Sequence, residues 1–229
     1  MKLQTKIWLG ACAVIGSIAA ADGYFGYQNI ESDVRAELNR EARILNAVLA
    51  STWAIYHKQF VASQLPVTEA TIGFLPAYSQ ARIAADVSEW VGYGLRFKDV
   101  SDRPRNPANQ ADASELAAME WFRANPNAKE HIAEIAAPGG TVYHFTAPIW
   151  IEPSCLSCHG ERQSAPNWIQ QRYSNAYGYH VGDLRGITSI KLPMAGLRSH
   201  AREVWLQRFE LRAAGYAGLL VLLGVILRF

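Results

Sequence analysis

Five consecutive residues, Cys155-Leu156-Ser157-Cys158-His159, concentrate the chemistry of this 229-residue sequence. Two thiols with two residues between them are spaced so that each adds to one vinyl group of a haem, and the histidine that follows is placed beneath the iron as an axial ligand. Cys155 and Cys158 are therefore expected to attach one haem c covalently, with His159 on the metal. Covalent attachment holds the cofactor in a domain too small to enclose it otherwise. Two other chemistries use the same residue types. Zinc needs four ligands and usually a second Cys pair, which is missing here. A redox dithiol normally opens a helix in a βαβ pattern, and no such pattern surrounds this motif.

The elements that must position the motif are legible as patterns. From Val34 to Leu65 apolar residues recur at helical spacing (Val34, Leu38, Leu45, Leu49, Tyr56, Phe60), and no Gly or Pro occurs between Glu31 and Leu65, which predicts one long helix. Tyr93 to Lys98 alternates like a half-buried strand, and Asp112 to Ala124 reads as a capped helix stopped by Asn125-Pro126. His131 to Ala136 and Thr141 to Ile151 are β-like runs split by Pro138-Gly139-Gly140, a hairpin signal. Gly186 to Leu192 supplies one more strand, and Ala195 to Arg212 continues as a helix. A long helix, a small antiparallel sheet and a closing helix make an α+β plan. No acid/base pair stands near the motif at recognisable spacing, so no enzyme activity is expected.

Composition narrows the class further. A net charge of +2 is too balanced for nucleic-acid binding by bulk charge, and no nucleic-acid partner is expected. With 7 Trp, 10 Tyr and 8 Phe the chain has ample apolar surface to bury, which excludes disorder. Ile7 to Ala21 is an uncharged run preceded by Lys2 and Lys6, and its apolar character resumes through Tyr24, Phe25 and Tyr27. It is expected to be an uncleaved membrane anchor, the alternative being a signal peptide cut after Ala19-Ala20-Ala21. Ala213 to Leu227 is a second uncharged run between Arg212 and Arg228, expected to span the membrane from Phe209 onwards; a buried core helix is its alternative. The predicted layout is an anchor over residues 1–30, a haem domain over 31–207 and a second membrane helix over 208–229. Because c-type haem is assembled outside the cytoplasmic membrane, the domain is expected in the periplasm of a bacterial inner-membrane protein, with both termini cytoplasmic. Ala214 and Gly218, with Gly16 and Ala20, have the spacing for close packing of the two spans, or for contact with a partner membrane protein or a second copy.

Three separated motifs occur in order: Ser101 to Asn109 (Ser-Asp-Arg-Pro-Arg-Asn-Pro-Ala-Asn) with Glu115 after it; Ala147-Pro148-Ile149 leading to Cys155 to Gly160; and Gly178-Tyr179 with Gly182 to Ile187. In these the chain resembles the family of c-type haem, PAS-like periplasmic sensor domains, over roughly Val34 to Pro193. The resemblance implies a PAS-like fold and a redox- or gas-sensing role. The sequence contains no kinase or cyclase, so signalling is expected to need a partner, and an electron-transfer or structural haem subunit of a membrane complex is the alternative. Some relatives take a second axial ligand from the first long helix. Cys12, in the apolar segment, cannot reach, and His57, beside Trp53, Phe60 and Val61, is the expected replacement, ahead of His144 and Met119. Arg103 and Arg105 are expected either to pair with haem propionates or to clasp the loop through backbone carbonyls or Glu115. Tyr177 and Tyr179 either line the pocket or fill the core. His131, His180 and His200 read as ordinary surface or interface residues.

Overall fold

Without a helix breaker between Glu31 and Leu65, the chain forms a helix that runs further than its apolar patterns predict. The computed structural model describes residues 3–228; Lys2, Phe229 and the side chain of Arg228, which figure in the expected membrane flanks, lie outside the described residues. Helix α1 is continuous over Leu3–Ala62, so the first apolar run and the predicted long helix are one element. It stops where Gln64 takes a left-handed φ of 54° just ahead of Pro66. The chain divides into two compact units, the first made of Met1–Glu37 with Met194–Phe229 and the second of Leu38–Pro193.

In the second unit, α1 is followed by α2 (Pro76–Val91), which the sequence patterns miss. Its buried residues are Pro76 and Ala84, too small to stand out as an apolar stripe. Strand β1 (Arg96–Val100) starts later than predicted, because Gly92 and Gly94 adopt φ values of 70° and 87°, which no extended strand allows. Helix α3 (Ala113–Ala124) has the expected cap. The Asp112 carboxylate accepts from the Glu115 N–H, and Glu115 accepts in return from the Asp112 N–H. Strands β2 (His131–Ala137) and β3 (Gly140–Trp150) form the predicted hairpin, and β4 (Leu184–Pro193) inserts between β1 and β3. All neighbours are antiparallel, in the order β1-β4-β3-β2. Two short helices, α4 (Leu156–His159) and α5 (Asn167–Arg172), lie in the excursion between β3 and β4. The expected α+β plan with a small antiparallel sheet and a long N-terminal helix is the observed one.

Two features of the sheet bear on the motif. A register shift between Ile149 and Trp150 bends the end of β3 shortly before Cys155, as a bulge does when it redirects a chain. At Gly186 a Cβ would collide with the Val100 carbonyl, so glycine lets β1 and β4 approach there. On one face, α3 packs Ala118, Met119 and Phe122 against Val100, Leu184 and Ile187. Among these apolar side chains sits a polar chain of groups. Ser189 donates to the fully buried Glu115 at 2.8 Å, Lys191 reaches the same carboxylate at 3.0 Å, and His144 Nε2 lies 3.0 Å from Ser189 Oγ. The single hydroxyl proton of Ser189 is committed to Glu115, so His144 must donate from Nε2.

The first unit is an antiparallel pair formed by the start of α1 and by α6 (Met194–Arg228), both long and apolar enough to cross a membrane, which is compatible with a membrane protein. Trp8 Nε1 donates to the Leu220 carbonyl at 3.4 Å, Asp22 pairs with Arg212 at 2.5 Å, and Glu31 pairs with Arg198 at 2.9 Å. The close approaches differ from those expected. Gly16 and Gly218 face open space, whereas a Cβ at Gly23 would meet the Phe209 ring at 2.8 Å and one at Gly26 would meet Trp205 at 2.8 Å. Flat aromatic faces, rather than a second small-residue stripe, occupy the room these glycines leave.

The polar chain under α3 predicts acid sensitivity. Burial first, and then the charge of Lys191, push His144 down to about 4, below its ordinary value of 6.5. Because the unfolded chain binds this proton and the folded one does not, stability falls as pH drops from about 6.5 through 4. Asp112 acts lower in the range: burial works to raise it, but Lys191, Ser114 and the Glu115 N–H hold it well below the ordinary carboxylate value, so its contribution is present above pH ~4 and is lost on further acidification. Thermal unfolding at pH 7 and pH 4.5 should show a midpoint several degrees lower in acid, and His144→Gln should flatten that dependence. Asp112→Ala, which removes the cap, should cost about 1 kcal/mol at pH 7.

Candidate functional site

The chain leaves β3, passes through a 3-10 turn over Pro153–Cys155 and enters the single turn of α4. Cys155 already has helical φ and ψ of −74° and −26°, so Cys155 and Cys158 stand three residues apart on one helical turn and face the same side. Both are free, half-buried thiols. Gly160 ends the turn: its N–H donates to the Leu156 carbonyl at 3.0 Å, and a Cβ there would meet that oxygen at 2.7 Å. Burial pushes the Cys158 thiol up despite nearby Arg105. Among the described residues no three His, Cys, Asp or Glu side chains converge as metal ligands, so the two thiols and His159 do not form a zinc-type cluster.

His159 is oriented by a single hydrogen bond. Its Nδ1 lies 2.9 Å from the Ala176 carbonyl, which can only accept, so Nδ1 carries the proton. Burial, followed by the charges of Arg105 and Arg185, drives the ring's pKa down to about 3, and the imidazole is neutral. A neutral ring protonated at Nδ1 presents a lone pair at Nε2, the form a histidine takes as a metal ligand. Ala176 itself has a left-handed φ of 58°, uncommon for a residue with a side chain. That conformation aims its carbonyl at the motif.

Arg105 completes the arrangement. Its Nη2 donates to the Cys158 carbonyl and, at 3.2 Å, to the same Ala176 carbonyl, while the guanidinium lies over the Tyr177 ring with Cζ 4.7 Å from the centroid. Of the two roles expected for Arg105, the clasp to backbone carbonyls is present in the structure. Glu115 takes no part in it, being held by Ser189 and Lys191. The 103–105 loop is also tied down by Asn175, which donates to the Pro104 carbonyl at 2.7 Å. Gly178 and Tyr179 donate to the Gly160 and His159 carbonyls at 2.9 and 3.1 Å, laying the 176–179 segment along the motif. Arg103 places its Cζ 4.2 Å above the Tyr179 ring, whose centroid is 6.0 Å from that of His159. Tyr177 donates to the Ile169 and Tyr173 carbonyls and is a packing residue.

His57 stacks on Trp53 with ring centroids 4.6 Å apart and 7° between planes. Burial lowers its pKa, and Glu152, three residues before Cys155, is near enough to raise it electrostatically. Phe60 is buried as expected of an apolar wall, but Val61 is exposed. The other candidates lie elsewhere: His144 is enclosed beneath α3 and Met119 is buried on α3 itself, His180 is exposed beside Asp183, His200 is exposed on α6, and His131 lies tilted against Trp121.

Three buried side-chain atoms of this region have no hydrogen-bond partner: His57 Nε2, Arg105 Nε and the Tyr179 hydroxyl. Buried polar atoms are normally paired. Such orphans, beside free thiols and a prepared imidazole, fit a bound group with a metal and polar edges. Sequence reasoning misses Ala176 and Asn175, whose roles are played by a backbone carbonyl and a loop amide. Their only signal in the sequence is the Tyr/Asn/Gly-rich composition of that stretch.

Replacing Arg105 by Lys should lower stability by about 2 kcal/mol, because a point-charge ammonium cannot bridge both carbonyls. The check is thermal unfolding together with limited proteolysis of the 160–176 segment. A Lys variant that melts and resists cleavage like the parent would count against the clasp.

A sequence model of the Tll0287-like family matches residues 31–193. Among solved structures the chain is similar to one described as "Crystal structure of the cyanobacterial heme-protein Tll0287", with a TM-score of 0.52 and 24% identity over 67% of this chain and 95% of that chain. At that identity the likeness speaks to the fold. No curated protein matches.

Proposed function

The chain belongs to the Tll0287-like family, and from that premise we propose that it is a membrane-anchored domain carrying one covalently attached haem c, acting as a redox- or diatomic-gas-sensing module. The observation that carries this reading is the His159 hydrogen bond to Ala176, which leaves Nε2 ready for a metal directly after two free thiols on one turn. A similar solved structure is described as that of a heme-protein, which agrees with it. Cys155 and Cys158 would hold the group through their sulfurs, and His159 would ligate its iron through Nε2. Bound there, the haem would supply one-electron redox chemistry and a site for small ligands.

The chain's own residues then do three things. Arg105 and Ala176 keep the His159 ring in one tautomer and one orientation. His57, whose pKa is lowered by burial and whose Nε2 lacks a partner, would offer a second nitrogen to the iron. Arg105, through its unpartnered Nε, is the cation that would face a propionate. His57 is carried by α1, the helix that also contains the first apolar segment, so gain or loss of its ligation would act on an element continuous with the membrane. In this reading α1 and α6 span a bacterial inner membrane, the domain lies in the periplasm and the termini are cytoplasmic. A partner membrane protein or a second copy would receive the signal through these helices.

A denaturing gel of membranes should show a haem-staining band near the 25.4 kDa of the chain, absent in Cys155→Ser/Cys158→Ser. Haem that leaves the protein in acidified organic solvent would contradict covalent attachment. His57→Ala should retain the stained band yet change a low-spin, six-coordinate spectrum into a high-spin or ligand-exchanging one. Ferric and ferrous spectra identical to the parent's would remove His57 from the iron.

A further inference from the structure

A cavity of about 470 Å³ opens beside Tyr179, lined by Arg103, Arg123, Trp150, Pro126 and Leu184 among others. Its size lies within the roughly 300–1,000 Å³ of small-molecule sites. Neither cysteine of the motif, nor His159, nor His57 lines it. Its chemistry is divided. Trp150, Pro126 and Leu184 give an apolar, partly planar wall, and two guanidinium groups give the polar end.

The two arginines are not equivalent. Arg123 is neutralised, with Asp102 and Glu120 each at 2.5 Å. Arg103 has no side-chain hydrogen bond or ion pair among the described residues; its guanidinium is held flat over the Tyr179 ring, 4.2 Å from the centroid. Stacking fixes the plane of a guanidinium and leaves its N–H edge free for a carboxylate. The carboxylate of Asp183, also at the cavity, already accepts from the His180 N–H at 2.8 Å. One guanidinium edge without an ion-pair partner, beside a wall that also carries the Asp183 carboxylate, favours a monoanion over a phosphate or a dicarboxylate.

We propose that this cavity binds a small monocarboxylic acid with a planar apolar body, its carboxylate on the edge of Arg103 and its body against Trp150, Pro126 and Leu184. The occupant would touch Tyr179, which contacts His159 through both its ring and its backbone N–H, so the site adjoins the motif without being part of it. Binding itself does not depend on a haem being present. A haem propionate has the same carboxylate chemistry, and the test separates the two sources.

The probe is sodium benzoate, titrated calorimetrically into the full-length protein in detergent, as isolated with its haem and as the Cys155→Ser/Cys158→Ser variant. The expected result is one-to-one binding to the protein as isolated, weakened roughly tenfold or more in Arg103→Gln, which removes a charged hydrogen-bond donor. Neutral benzamide, tried on the unaltered protein, should bind at least as poorly, and that comparison needs no variant to fold. The proposal is overturned if benzoate does not bind the protein as isolated, if benzamide binds equally well, or if a folded Arg103→Gln protein binds benzoate unchanged. Binding confined to the cysteine variant also overturns it, by assigning Arg103 to a haem propionate.

Discussion

The carbonyl of Ala176 is the point on which the motif turns. It accepts from His159 Nδ1 and from Arg105 Nη2 together, and it is aimed by a left-handed backbone conformation that a side-chain-bearing residue adopts only when its surroundings impose it. Both contacts depend on this one oxygen. Without the carbonyl, His159 would be free to protonate at either nitrogen, and the buried Arg105 cation would lose one of its two acceptors. With it, the tautomer, the ring orientation and the loop are set by the same few atoms.

The surrounding fold supplies the rigidity that this arrangement needs. The bulge at Ile149/Trp150 redirects β3, and backbone bonds from Ile151 to Asp183 at 2.9 Å and from Gly182 to Ile151 at 2.9 Å close the excursion back onto β4. The excursion leaves from one sheet strand and returns to its neighbour, so its ends are held even though its middle has little regular structure. Beneath α3, Glu115, Ser189, His144 and Lys191 form a buried polar chain in which most groups are satisfied by one another. Such a network favours one register of β3, β4 and α3, because a shift would strand a charge in the core.

The helix pair follows a different logic. Apolar faces point outward, and specificity comes from Gly23 and Gly26 against Phe209 and Trp205 and from the Asp22–Arg212 and Glu31–Arg198 pairs. Close packing and opposite charges at matched heights define the antiparallel alignment of two helices that hydrophobicity alone would leave free to slide.

Local information is enough for much of this protein. The Cys155–His159 motif depends on five adjoining residues, the capping box of α3 on Asp112 and Glu115, and the hairpin on Pro138-Gly139-Gly140, so each is legible from neighbours in sequence. Membership of the α+β class follows from the order of such elements. Helix α2, whose fully buried residues are only Pro76 and Ala84, is absent from the elements read in the sequence, and β1 starts later than its alternation suggests because Gly94 within that run, like Gly92 before it, has a positive φ. The packing glycines of the two spans differ from the small-residue pattern because their partners are aromatic rings roughly 180 residues away along the chain, which no local spacing can report. The tautomer of His159, the double duty of Ala176 and the choice of Arg105 as a clasp are decided only by tertiary structure. Each depends on a backbone carbonyl, which every residue possesses, being brought to one place by a distant turn.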